Sequence, residues 1–166
     1  RERTLTPSIK VRILVGHPSM ARSFETNFGK LHALHVAGLT RHLIACRDAF
    51  GGDLDLFLVF TIIGERSFTP RNAPAAMTVE EFRTSPVRTV RSVAINLQSI
   101  ADYSGIPRET VRRKVRALIE RGWIERDGQG LIAVTDRAKE ALEGLTESSL
   151  RYLGDLGSAL NDPDAG

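Results

Sequence analysis

Between Asn96 and Val134 the sequence sets out two helices joined by a bend that forces them to cross closely, followed by a hairpin. From Ile95 the stretch reads INLQSIADYSGIPRETVRRKVRALIERGWIERDGQGLIAV. Asn96 is a good N-cap for a short helix over Leu97 to Ser104, since its side-chain oxygen can accept from an amide of the first turn. Ile100 and Ala101 face inward, and the small Ala101 lets a second helix approach. Gly105 ends the first helix in the left-handed conformation that suits glycine. Ile106 plugs the angle between the helices, and Pro107 sets the φ needed at the next helix start. The spacing predicts that helix from Arg108 to Arg121, with a stop at Gly122. Val111, Val115, Leu118 and Ile119 fall at i, i+4, i+7 and i+8, on one apolar face. Trp123 to Arg126 and Leu131 to Val134 read as two strands around Asp127-Gly128-Gln129-Gly130, a turn rich in residues that tolerate positive φ.

The opposite face of the second helix carries Arg108, Glu109, Arg112, Arg113 and Arg116, with Lys114 beside it. A basic face by itself is what many solvated helices show. Here it sits inside a joint spacing of short helix, tight bend, basic helix and hairpin, and that combination implies docking on duplex DNA rather than chemistry. A winged helix used as a protein-interaction module in a larger assembly, its basic face serving an acidic partner, is the alternative.

The segment resembles the winged helix-turn-helix superfamily of bacterial regulators. Arg108-Glu109-Thr110-Val111 followed by Arg113 is similar to the recognition helix of the Crp/Fnr family. That resemblance implies base contacts by Arg108, Glu109 and Arg113. The physical chemistry agrees, since Arg bridges guanine O6 and N7 and Glu accepts from cytosine N4. Gln98, Thr110, Arg112, Lys114, Arg116, Arg126 and Gln129 are the expected backbone contacts, the last two from the wing. Lys114 stands where that family often has an apolar residue.

Upstream there is no β-rich, glycine-punctuated segment of the cyclic-nucleotide-binding kind. Leu31, Leu34, Leu39, Leu43, Cys46 and Phe50 run at mostly helical spacing. Asp53 to Arg66 is apolar nearly all round, which predicts a buried helix capped by Asp53. Thr78 and Glu81 fit a capping box, and Ser85-Pro86 fits a further helix start leading through Val87, Val90 and Val93. After the hairpin, Thr135 is expected to cap one last helix from Asp136 to about Leu160, striped by Ala138, Leu142, Leu145, Leu150, Leu153, Leu156 and Leu160. A winged segment between helical flanks resembles the MarR-type layout, which implies terminal helices interlocked in a homodimer. The expected fold is therefore mainly α with a small β-hairpin wing (α+β). Its segments are a basic N-terminal arm (1–30), a helical dimerisation and core region (31–84), the winged helix-turn-helix (85–134) and a C-terminal dimerisation helix and tail (135–166).

Charge follows the same division. Over the whole chain of 166 residues the formal net charge is only +3. Ser85 to Arg126 holds nine Arg and Lys against four Asp and Glu, whereas Asp136 to Gly166 holds three against seven. A basic centre is expected to meet phosphate, and an acidic, leucine-striped arm to meet another subunit. Arg1, Arg3, Lys10, Arg12, Arg22 and Lys30 make the N-terminal segment basic, and Ser8 to Val15 reads as a strand or an extended arm.

Enzymatic chemistry finds little support: there is no phosphate-binding glycine loop, no nucleophile elbow and no paired Cys-x-x-Cys. His35, His42 and Cys46 lie at i, i+7 and i+11 along one helix face. His35 and His42 are two turns apart, roughly 10 Å, too far to share an ion without a second chain. His42 and Cys46, at i and i+4, are the candidate metal pair. The plainer reading is a polar seam on a packed helix, and no cofactor is expected. A small-molecule effector held between the terminal helices and the winged segment is a further reading without a residue signature. The apolar run Leu54 to Ile63 is too short to span a bilayer. No secretory signal pattern is present, and Cys46 is the only cysteine. A reducing cytoplasm and no membrane partner are the expectation.

Overall fold

The computed structural model describes residues 26–67, 76–85, 95–126 and 132–161. Its helices are α1 (Phe28–Ala49), α2 (Leu54–Ser67), α3 (Val79–Thr84), α4 (Leu97–Ser104), α5 (Arg108–Glu120), α6 (Asp136–Ala141) and α7 (Glu143–Asn161). A two-stranded sheet, β1 (Ile124–Arg126) and β2 (Ile132–Val134), follows α5. The fold is mainly helical with a small antiparallel hairpin, as the sequence predicts. Residues assigned by sequence to the N-terminal arm up to Arg22, Pro86 and the three valines that follow it, and the wing turn with Gln129 lie outside the described residues, whereas Ser85 is described and ends α3 with its amide on the Glu81 carbonyl. The contacts divide the chain into two compact units, one of Arg1–Thr40 with Leu150–Gly166 and one of Arg41–Ser149.

The larger unit owes its shape to local signals that agree with its core. The Asn96 side chain accepts from the Ser99 amide at 3.0 Å and starts α4. Gly105, at φ +72°, ends α4 with its amide on the Ala101 carbonyl. The end of α5 is a Schellman motif: the Gly122 amide reaches the Ile119 carbonyl and the Trp123 amide reaches that of Leu118. Gly122 sits at φ +70°, where a side chain would be strained. The chain then enters β1, which pairs with β2 in the register Ile124↔Val134, Glu125↔Ala133 and Arg126↔Ile132. Thr135 closes the hairpin onto α5 by donating its hydroxyl to the Gly122 carbonyl at 2.6 Å, and the same oxygen caps α6.

The core of this unit reaches upstream of the helix-turn-helix. Leu56, Val59, Ile62 and Ile63 of α2 are buried in one cluster with Ile100, Val111, Val115 and Leu118, and with Ile124 and Ile132 of the hairpin. α2 packs on α4, α5 and β2 alike. Its expected cap is present, with Asp53 Oδ1 accepting from the Leu56 amide at 2.9 Å. Phe50, fully buried, meets Phe57 and Trp123 edge-on at 5.4 and 5.1 Å between centroids. The Thr78–Glu81 capping box is formed at the start of α3.

Two expectations need correcting. Ile119, placed by periodicity on the apolar face of α5, is 41% exposed, because Val111, Val115 and Leu118 fill the contact with the core. The single helix predicted after Thr135 is two helices. The backbone leaves the helical region at Leu142, whose amide is shared by the Ala138 and Glu140 carbonyls. Leu142 is buried in the winged core, so tertiary packing holds a residue that helical periodicity would place within a continuous helix.

In the smaller unit, Leu31 and Ala159 are buried and His35 Nδ1 lies 2.6 Å from the Tyr152 hydroxyl. Gly38 makes room for that tyrosine, since a Cβ there would overlap its ring. Phe28, Val36, Leu150 and Leu153 remain exposed. No helix among the described residues is long and apolar enough to cross a membrane.

Candidate nucleic-acid interface

α5 sorts its residues by face. Val111, Val115 and Leu118 are buried. Glu109, Arg113, Arg116 and Glu120, at i, i+4, i+7 and i+11, lie on the opposite side. All four are exposed. Arg108 opens the helix, is exposed, and its side chain forms no hydrogen bond or ion pair with a described residue. Arg112 flanks the outer face and donates from Nε at 3.1 Å and from Nη2 at 2.6 Å to a single oxygen, Glu109 Oε1. That hydrogen bond, helped by the charges of Arg112, Arg113 and Arg108, holds the Glu109 carboxyl below its ordinary pKa. Arg113 Nη2 donates to the Thr110 hydroxyl at 3.4 Å, and Arg116 Nε to Glu120 at 2.8 Å. Exposed pairs of this sort are weak. Arg116 can therefore leave Glu120 for a phosphate at small cost.

The other expected contacts are more scattered. Gln98 is exposed near the start of α4, with its amide on Asp102 at 2.7 Å. Arg126 is exposed at the end of β1. Lys114 differs from its neighbours: it is half-buried on the flank facing α2, where Nζ lies 2.5 Å from Asp53 Oδ2. By sequence Asp53 is only a helix cap. Its second role joins residues 61 positions apart, a pairing no local spacing reveals. At position 114 the half-buried side chain thus ends in an ion pair with a capping aspartate.

Partial burial opposes the charge of Asp53. The Lys114 hydrogen bond, the Leu56 amide and the charges of Lys114 and Arg121 outweigh it and hold the carboxyl below its ordinary pKa. A carboxylate lowered in the folded state stabilises the fold above its unfolded pKa, near about 3.9, and ceases to as pH falls through the folded value. Asp53→Asn keeps a capping oxygen and removes the charge. It is expected to lower the urea midpoint at about pH 6 and to have little effect once pH falls well below about 3.9. A deficit that stays constant across that range would mean the ion pair contributes nothing.

The polar seam of α1 is built as follows in the larger unit. His42 Nδ1 lies 3.2 Å from the Ser148 hydroxyl and its Nε2 lies 3.5 Å from Cys46 Sγ. Cys46 is fully buried, and burial pushes its thiol pKa up, against ionisation and metal binding. No group of three or more His, Cys, Asp or Glu that could hold a metal occurs among the described residues.

With the helix, bend, helix and hairpin in place, the comparison with known families falls on the same segment. Residues 79–140 match the family described as the Crp-like helix-turn-helix domain. The match begins at α3, spans α4, α5 and the hairpin, and ends within α6. No curated protein and no solved structure matches the chain. A Crp-like helix-turn-helix domain points to a DNA-binding regulator rather than to an enzyme.

Proposed function

We propose that this chain is a sequence-specific, double-stranded-DNA-binding transcriptional regulator that acts as a homodimer. The observation that carries the reading is α5: its apolar side is locked into the core, and its outer side offers exposed arginines held by no more than weak pairs among the described residues. In this reading α5 lies in the major groove with its N-terminal turns on base edges. Arg108, Glu109 and Arg113 read bases, while Gln98, Thr110, Arg116 and the wing residues Arg126 and Gln129 meet the backbone. Lys114, engaged by Asp53, fixes the rotation of α5 on α2.

Dimerisation is supported by the apolar residues left uncovered at Phe28, Val36, Leu150 and Leu153, and by the acidic, leucine-bearing C-terminal segment, in a layout like that of MarR proteins. A two-fold dimer reads a pseudo-palindrome with half-sites about 34 Å apart, one helical turn.

The electrostatic part of the proposal is tested by titrating fluorescent random-sequence duplexes at several salt concentrations. Arg116→Ala is expected to weaken binding to every sequence alike and to reduce the slope of log K against log salt by about one per subunit. An unchanged slope removes Arg116 from the backbone set. Binding of the wild-type chain that does not respond to salt contradicts the reading.

A further inference from the structure

We propose that Arg112 reads bases jointly with Glu109, as one buttressed unit aimed at a guanine and a cytosine, and is not a backbone contact. The inference rests on the DNA-binding reading above.

The geometry points to it. Glu109 Oε1 accepts from both Nε and Nη2 of Arg112, at 3.1 and 2.6 Å, so it grips one edge of the guanidinium. A guanidinium carries five N–H donors in a rigid planar fork. Two of them are used on Glu109. The remaining Nη2 hydrogen and the Nη1 pair lie along the other edges, and together they form the two-pronged donor that guanine O6 and N7 accept. Glu109 in turn keeps Oε2, to which no described residue donates, and a carboxylate oxygen in the major groove accepts from cytosine N4. Both residues belong to the first turns of α5, the part of such a helix that meets base edges.

A phosphate contact fits less well. Arg112 can leave its carboxylate at small cost, as any exposed pair can, but Glu109 would then stand unneutralised beside the phosphates. While the pair is intact its charges nearly cancel, so it adds little to non-specific attraction. What it offers is a preferred orientation of the guanidinium, which serves discrimination. Arg116 shows the contrast: its partner Glu120 lies one turn further along, away from the base-reading end, and its own side chain is 82% exposed.

The test uses a duplex selected by the wild-type chain from random sequences, together with all its single-base-pair variants and an unrelated duplex. Wild type, R112K, E109Q and the double variant are compared at one salt concentration, with circular dichroism confirming the fold of each. Lysine keeps the charge but lacks the fork. R112K is expected to lose about ten- to hundredfold in affinity for the selected site and to flatten the preference at one G·C position. Its affinity for the unrelated duplex should stay within about twofold, because the charge is retained. E109Q should flatten the same position or its neighbour, and the double variant should lose much less than the product of the two singles. If R112K leaves every base preference intact while the wild type still selects its site, the joint reading is wrong and the regulator reading stands. If the wild type prefers no duplex over any other, both fall together.

Discussion

Phe50→Ala will unfold the DNA-binding unit more readily than any change on its surface. The side chain is fully buried at the junction of α1, α2 and the hairpin, with Phe57, Phe60 and Trp123 around it. Truncating a buried phenylalanine removes its transfer free energy and leaves a cavity, typically at a cost of about 3–5 kcal/mol. Against a total stability of about 5–15 kcal/mol this is a large fraction. The ring also positions Trp123, over which Arg121 lies at 5.0 Å. Trp123 is the chain's only tryptophan, so its emission reports the event directly. The urea midpoint should fall and Trp123 should become more exposed. An unfolding free energy within about 1 kcal/mol of wild type would mean that the aromatic cluster is not the centre of this core.

Arg113→Ala and Arg108→Ala will each cost about 1–3 kcal/mol in binding to a selected site, roughly 5- to 150-fold, with the loss concentrated at one base pair. Arg113 stands on the outer face of α5, where it donates to the Thr110 hydroxyl at 3.4 Å, and Arg108 stands exposed at the helix start with no side-chain hydrogen bond or ion pair to a described residue. Neither change removes a core contact, so stability should move little. The measurement is an equilibrium titration against the selected site and its single-base variants. A loss shared equally by all sequences would move both arginines to the backbone set and leave the wing or another element to read sequence.

The parts of the fold legible in the sequence are those governed by bonds between near neighbours. Asn96, Thr78 with Glu81, Thr135, Gly105 and Gly122 all act where their residue types predict, because a cap or a left-handed turn is closed within a few positions. The apolar face of α5 was legible through Val111, Val115 and Leu118, which recur at the helical period. Ile119 shares that period but sits at the edge of the face, and only the shape of the neighbouring elements decides whether an edge residue is covered. The break at Leu142 was hidden for the same reason, since the apolar stripe runs on past it from Ala138 to Leu160 and Gly144, Gly154 and Gly157 do not single out one point of interruption. Lys114 and Asp53 could not be paired without the fold. The Glu109–Arg112 pair, by contrast, lies at i, i+3 and was open to inspection, but a charged pair on a helix says nothing of its purpose until the buried face is known. The base-reading roles of Arg108, Glu109 and Arg113 came from resemblance to a recognition helix, and their placement on the exposed side of α5 is compatible with those roles.

The most direct test of the central claim is selection of genomic fragments by the purified wild-type chain at about 150 mM salt, where weak non-specific attraction is screened. The account predicts enrichment of an inverted repeat whose half-sites lie about one helical turn apart, the footprint of a two-fold dimer with α5 in successive major grooves. Failure to enrich any sequence motif would contradict it.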